Sequence, residues 1–96
     1  MEKVYIAGKI TGNKRYKEQF EAAERVLKES GYTVLNPATL PEGMEPGDYM
    51  RICFAMIDVA DLVVFLPGSE GSPGALLERT YCDYIRKDSV EMFKML

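Results

Sequence analysis

Histidine and tryptophan are absent from this 96-residue chain, and the only cysteines are Cys53 and Cys82. Without histidine the chain cannot build a His-based catalytic triad, most zinc sites or the usual general base. Acid–base chemistry must therefore use carboxylates, tyrosines or water. We expect neither a metal nor a cofactor. Both cysteines fall within predicted helices and no secretory signal precedes them, which indicates reduced thiols in a cytoplasmic protein.

Long apolar runs and an excess of positive charge are also missing. No uninterrupted apolar run approaches the roughly 18–20 residues of a membrane span, so we expect no membrane association. Twelve basic against fifteen acidic residues give a net charge of −3, and one short basic cluster occurs at 13–17. Because binding to a phosphate backbone needs a basic surface, nucleic acid is not an expected partner.

The length allows a single domain over residues 1–96 with a thin hydrophobic core. Small domains of this kind gain further burial by self-association, and we therefore expect a homodimer or a larger homo-oligomer.

Hydrophobic periodicity predicts strands that alternate with helices. Gly31 is the predicted C-cap of the first helix, Asp48 the N-cap of the second, and Ser72 followed by Pro73 opens the third. The predicted strands are 3–8, 32–37, 61–66 and, more weakly, 89–93; the predicted helices are 14–30, 49–59 and 73–87.

This order of elements predicts a parallel sheet, because strands separated by helices require right-handed crossovers. The expected fold class is α/β: a three-layer sandwich with a small flavodoxin- or Rossmann-like sheet of four to five strands in the order 2-1-3-4. In such sheets ligands bind beyond the carboxyl ends of the strands, where the strand order reverses. That crevice lies between the first and third strands.

Two glycine-rich segments follow these strands, "AGKITGN" at 7–13 and "LPGSEGSPG" at 66–74. Glycine lets backbone amides approach a ligand closely, and a helix N-terminus after the second segment favours an anion such as phosphate. Neither segment is a GxGxxG motif or a Walker P-loop, so a nucleoside triphosphate site is unsupported.

Glu78 is a carboxylate just inside the start of the third helix, next to this crevice. A capping-box glutamate would stand at position 75, which is alanine, so capping does not explain Glu78. Ala75, Glu78 and Cys82 share one side of the helix, bordering the apolar face that carries Leu77, Tyr81 and Tyr84. Glu78 either points into the crevice or is a boundary residue of the helix. Asp61 precedes the third strand at the opposite end from the crevice, and its spacing favours a turn residue.

Four segments together resemble the nucleoside 2-deoxyribosyltransferase-like family, whose members are common in phages and bacteria. They are "VYIAGKITG", "GYTVLNPA", "DVADLVVFLPG" and "SPGALLE", in order along most of the chain. The resemblance implies a Rossmann-like fold, usually dimeric or larger. It also implies an enzyme that cleaves or transfers the N-glycosidic bond of a nucleoside or a nucleoside 5′-monophosphate.

The resemblance also assigns residues. Glu78 matches the nucleophilic glutamate, and Asp61 matches the aspartate before the third strand, a second catalytic residue. In monophosphate-hydrolysing relatives the serine before the helix helps to hold the phosphate. The positions that match the substrate pocket are Tyr5, Gly8, Gly68, Ser72 and Gly74.

The chain departs from the family pattern at three places. Lys9 stands where relatives often have proline, and no aromatic residue follows Pro67 and Gly68. The last helix ends in "TYCDYIRKDS", where the family usually has a turn that contains alanine or glycine. A second, looser likeness is to phosphoribohydrolases that carry a P-G-G-x-G-T-x-x-E loop, here with longer spacing. These departures concern the substrate more than the fold.

Cleavage of an N-glycosidic bond builds positive charge on the sugar, which a carboxylate can stabilise and capture. A glutamate with an ordinary pKa of about 4.3 is ionised at neutral pH without a histidine to activate it. Asp58, Asp48 and Tyr5 are candidates for the group that assists the departing base. Two other hypotheses stay open: a protein that binds or sequesters a nucleotide without turnover, and a structural or partner-binding protein.

Overall fold

The computed structural model describes residues 2–95. Within them the strands are β1 (Lys3–Ala7), β2 (Thr33–Leu35), β3 (Leu62–Phe65) and β4 (Ser89–Glu91), and the α-helices are α1 (Tyr16–Glu29), α2 (Pro46–Val59) and α3 (Pro73–Ile85). Short 3₁₀ turns cover Pro37–Thr39, Ser69–Gly71 and Met92–Met95. Strands and helices alternate along the chain, as the periodicity predicts.

The strands form one parallel sheet in the order β2-β1-β3-β4, which confirms the predicted order. Tyr5 in β1 is in register with Leu35 of β2 on one side and with Val63 of β3 on the other. In β4, Val90 pairs with Val64 of β3. The predicted fourth strand is thus present but short, and the first and third strands are adjacent, as the location of the crevice requires.

Side chains of β1 and β3 alternate between the two faces of the sheet and build two separate cores. Val4, Ile6 and Val64 pack on the side of α1, against residues such as Phe20 and Leu27. The intervening residues pack on the side of α2 and α3; they include Tyr5, Ala7, Val63 and Phe65 of the strands and Cys53, Ile57 and Cys82 of the helices. The predicted three-layer sandwich is confirmed, and strand alternation turns Tyr5 towards α2 and α3.

The ends of two helices follow the predicted chemistry. The Ser72 hydroxyl accepts a hydrogen bond from the Ala75 amide at 3.2 Å, and Pro73 is the first residue of α3. At the end of α1, Gly31 has φ +96° and the Tyr32 amide donates to the Leu27 carbonyl, as in a Schellman motif.

The predicted start of α2 is wrong. The helix begins at Pro46 with Glu45 as its N-cap, because proline is already set to a helical φ and needs no amide partner at this position. Asp48 lies in the first turn, where its carboxylate pairs with the Arg51 guanidinium at 3.6 Å. Among residues 2–95, no helix combines the length and the apolar character needed to cross a membrane.

The buried face of α3 also differs from the expected one. Ala75, Glu78 and Cys82 are its buried residues, whereas Leu77 is 55% and Tyr84 is 88% exposed. Small side chains at the first and last of these buried positions let the helix lie close to the sheet. Glu78 is therefore enclosed between a helix and a sheet and is not a boundary residue.

Gly8 shows how closely the segment after β1 is packed. A Cβ atom at this position would lie 3.0 Å from Cζ of Phe20 and 3.2 Å from Cβ of Leu66, whereas a Cβ on Gly71 would meet nothing within 4 Å. We expect Gly8→Ala to lower the free energy of unfolding by about 1–3 kcal/mol through overpacking. Gly71→Ala, the matched control, should change it by less than about 0.5 kcal/mol. Urea denaturation of the two variants measures the difference, and equal stabilities would contradict this account of Gly8.

Candidate active site

A cavity of about 680 Å³ opens beyond the carboxyl end of β1, on the side of the sheet that α2 and α3 cover. Its size falls within the range of about 300–1,000 Å³ that is usual for small-molecule sites. Its walls come from five segments: the end of β1 with the loop after it, the start of α1, the 37–46 segment, α2, and the first turns of α3. The cavity therefore lies at the crevice that the strand order predicts.

Glu78 and Tyr5 form a hydrogen-bonded pair in the wall of this cavity. The Tyr5 hydroxyl donates to Oε2 of Glu78 at 2.5 Å, across 73 residues of sequence. Tyr5 is 1% and Glu78 5% exposed. A buried carboxylate usually has a cation as a partner, but here the neighbouring donors are neutral: the Tyr5 hydroxyl and the Cys53 thiol.

This environment changes the pKa of both groups. Burial raises the pKa of Glu78 from its usual value to about 7, and hydrogen bonds from the Tyr5 hydroxyl and the Cys53 thiol oppose part of that rise. Glu78 therefore departs from the ordinary carboxylate pKa that we expected from the sequence, because its burial favours the neutral form. Burial and the nearby Glu78 raise the pKa of Tyr5 well above its usual value, so Tyr5 remains a proton donor.

Cys53 of α2 also lines the cavity, beside this pair. Burial raises the pKa of its thiol to about 11, so that the group is neutral at physiological pH. Cys53 and Cys82 are both free thiols. Cys53 thus adds a weak donor rather than a second negative charge.

Three of the predicted pocket residues complete the wall near Glu78: Gly8, Ser72 and Gly74. The Ser72 hydroxyl caps α3, so its oxygen is already engaged as an acceptor. A Cβ on Gly74 would have no neighbour closer than 3.9 Å. Gly74 therefore leaves open space above the start of the helix.

The remaining predicted residues do not line the cavity. Asp61 lies at the amino end of β3, where its carboxylate accepts a hydrogen bond from the Lys3 amide at 2.8 Å. Asp58, near the end of α2, accepts from the Tyr81 hydroxyl at 2.6 Å. Both aspartates therefore lie at the amino ends of the strands, at the opposite end of the sheet from the cavity. Gly68 has φ +88° and shapes the turn before α3, a conformation that favours glycine.

One wall of the cavity was not foreseen from the sequence. Tyr49 supports it, because its hydroxyl donates to the Pro41 carbonyl at 2.5 Å and lies 3.4 Å from the Met44 amide. The 37–48 segment could have indicated this wall, because long loops that are rich in proline and glycine often carry functional residues. The residues missed in this wall include Leu40, Met44, Tyr49, Met50 and Cys53.

Solved structures with the same fold include two deoxyribosyltransferases and a glycosidase. A 2-deoxyribosyltransferase from Bacillus psychrosaccharolyticus superposes with a TM-score of 0.74 at 23% identity, covering 93% of this chain and 70% of that one. A CMP N-glycosidase from Clostridium botulinum gives 0.71 at 23% identity, covering 94% and 70%. A 2-deoxyribosyltransferase from Leishmania mexicana gives 0.73 at 17% identity, covering 95% and 63%. The resemblance inferred from the sequence is thus confirmed at the level of the fold.

This is a Rossmann-like α/β protein with a carboxylate-containing cavity at the switch point of its sheet. Residues 2–91 match the model of a domain of unknown function, DUF4406, and the chain belongs to that family. No curated protein matches the sequence significantly.

Burial of Glu78 predicts a pH-dependent cost in stability. Because folding raises the pKa of Glu78 to about 7, the folded state binds more protons than the unfolded state between about pH 4.5 and 7, and stability falls as pH rises through that window. Glu78→Gln stays neutral and can still accept from Tyr5. We expect its advantage over the wild type to grow by about 3 kcal/mol between pH 4.5 and pH 8.

Urea denaturation at several pH values between 4.5 and 8 measures this advantage. Glu29→Gln, which removes an exposed carboxylate at the end of α1, is the control and should show no growing advantage. A constant difference between Glu78→Gln and the wild type across the range would contradict the raised pKa.

Proposed function

We propose that this protein cleaves or transfers the N-glycosidic bond of a nucleoside or a nucleoside 5′-monophosphate, with Glu78 as the nucleophile. The observation that carries the proposal is the buried Glu78 carboxylate, held by Tyr5 in the wall of a cavity large enough for such a substrate. The residues suited to hold the sugar are those around Glu78: Tyr5, Gly8, Ser72 and Gly74.

In the first step an oxygen of ionised Glu78 attacks C1′ of the sugar. The C1′–N bond breaks, its electron pair leaves with the base, and the base takes up a proton as it departs. Tyr5 donates to Oε2, which leaves Oε1 as the attacking atom. A fixed, largely dehydrated carboxylate stabilises the positive charge on the sugar more strongly than a solvated one.

In the second step water or a second base attacks C1′ of the glycosyl-enzyme and releases Glu78 as a carboxylate. Two successive displacements retain the configuration at C1′. Among the three groups considered for assistance to the departing base, Tyr5 alone lines the cavity, and its hydroxyl already donates to Glu78. We therefore assign proton delivery to solvent that enters the open cavity.

The structural neighbours support the reaction class. Two are named as 2-deoxyribosyltransferases and one as a CMP N-glycosidase, so all three act at the bond between a sugar and a base. The homo-oligomeric state expected from the short chain stays a prediction.

Replacement of Glu78 tests the nucleophile directly. Glu78→Ala and Glu78→Gln should each lower the rate of base release by at least about a thousandfold, the usual scale for a covalent nucleophile. Chromatography of the free base released from a panel of ribo- and deoxyribonucleosides and their 5′-monophosphates measures the rate. Retention of near wild-type turnover in either variant would eliminate the mechanism.

Asp61→Asn serves as a second arm of this experiment. Because Asp61 binds Lys3 at the far edge of the sheet, we expect turnover within about tenfold of the wild type together with some loss of stability. A loss as large as that of Glu78→Gln would instead restore the catalytic role that the family resemblance implies.

The pH profile tests the protonation state of the nucleophile. Since Glu78 must be ionised to attack, kcat/KM should rise with pH through an apparent pKa near 7. Tyr5→Phe removes a donor to the carboxylate and should raise the apparent pKa of this rise in kcat/KM by about one unit. Tyr81→Phe removes a similar tyrosine–carboxylate bond, to Asp58 outside the cavity, and should leave the profile in place. An acid limb near pH 4.5 in the wild type would refute the assignment.

A further inference from the structure

The charged side chains that line the cavity are all acidic. Among residues 2–95 the wall contains the carboxylates of Glu42 and Glu78 and neither a lysine nor an arginine. Sites that bind a dianionic phosphate generally supply a cation, usually arginine for bidentate contacts or lysine as a point charge. The charge of this cavity is therefore opposite to the one that a phosphate needs.

Three cations near the cavity are held by carboxylates of their own. The pairs are Lys17 with Glu42 at 3.1 Å, Arg51 with Asp48 at 3.6 Å and Arg79 with Glu91 at 2.8 Å. Arg79 also lies over the ring of Phe65, 4.0 Å from its centroid. Lys9 extends along the turn at Gly12 and does not line the cavity. A phosphate would have to draw one of the three paired side chains away from its carboxylate or turn Lys9 towards the cavity.

The start of α3 provides little compensation. A helix N-terminus binds anions through its free amides, but Pro73 has none and the Ala75 amide donates to the Ser72 hydroxyl. The Leu76 amide donates to the Ser72 carbonyl. Gly74 alone is left with an amide for a ligand in this turn. Most of the amides that could bind a phosphate at this helix start therefore already donate hydrogen bonds within the helix itself.

We propose that the substrate is an uncharged nucleoside with a free 5′-hydroxyl, and that the cavity discriminates against nucleoside 5′-monophosphates. This inference rests on the proposed function and narrows its substrate class. A 5′-phosphate would bring a charge of nearly −2 towards two carboxylates in a wall that, within the described part of the chain, contains no lysine or arginine. A 5′-hydroxyl requires a single hydrogen-bond partner, which the Gly74 amide can supply.

Matched pairs of ligands test the discrimination. Each ribo- and deoxyribonucleoside is titrated calorimetrically alongside its own 5′-monophosphate into Glu78→Gln, in which turnover is blocked, and kcat/KM is measured for the same pairs on the wild type. We expect the nucleoside of the preferred pair to be favoured at least tenfold in kcat/KM on the wild type, and by a smaller factor in binding to Glu78→Gln, which lacks one of the two carboxylates. Glu42→Lys should reduce this preference severalfold, because it places a cation in the wall. Glu29→Lys has the same change in net charge but lies at the far edge of the sheet, and should leave the preference unchanged.

The outcomes separate this inference from the proposed function. Equal or tighter binding of the monophosphate would overturn the inference, and would point to the amides of residues 9–12, which donate no hydrogen bond within residues 2–95. Absence of binding by every nucleoside would also overturn it. Tighter binding of nucleosides with no base released by the wild type would support the inference and overturn the proposed function alone.

Discussion

The hydrogen bond between Tyr5 and Glu78 is the interaction on which the site depends. The packing of β1 and of α3 brings the two side chains together. Alternation along β1 sends Val4 and Ile6 to the core under α1 and Tyr5 to the opposite face. A slip of one residue in the register of β1 would exchange these faces and remove the tyrosine from the cavity. On the other side, the small buried side chains of α3 bring the helix near enough for a glutamate to reach the hydroxyl.

Burial gives this carboxylate a dual character. Exclusion of water favours its neutral form, and the same exclusion strengthens its interaction with a positive charge that develops beside it. Tyr5 moderates the first effect without supplying a cation that would weaken the second. The absence of lysine and arginine from the wall, as far as residues 2–95 form it, is consistent with the proposed reaction. A cation there would attract a phosphate, and it would also destabilise the positive charge that the proposed reaction develops on the sugar.

The sheet and the position of the site could be predicted from the sequence, because strand alternation, helix periodicity and the carboxyl-edge rule act locally or depend on topology alone. Helix spacing also places Glu78 beside the crevice, but it leaves open whether the side chain points into it. The buried face of α3 could not be predicted, since the sheet accepts small residues there and leaves Leu77 and Tyr84 in solvent. The pKa of Glu78 depends on a contact between segments distant in the chain, for which sequence spacing carries no signal. The wall that Tyr49 supports depends on local hydrogen bonds to Pro41 and Met44 within an irregular loop, where no periodicity indicates the conformation.

The cost of burying Glu78 has an evolutionary consequence for the family. In a small domain with a thin core, any member released from selection for chemistry would gain stability by replacing this glutamate with a neutral or apolar residue. Under the proposed mechanism, a relative that keeps both the glutamate of the third helix and the tyrosine of the first strand does so for reactivity, since stability alone favours their replacement. The two positions would then distinguish members of this domain family that share the proposed activity from members that do not.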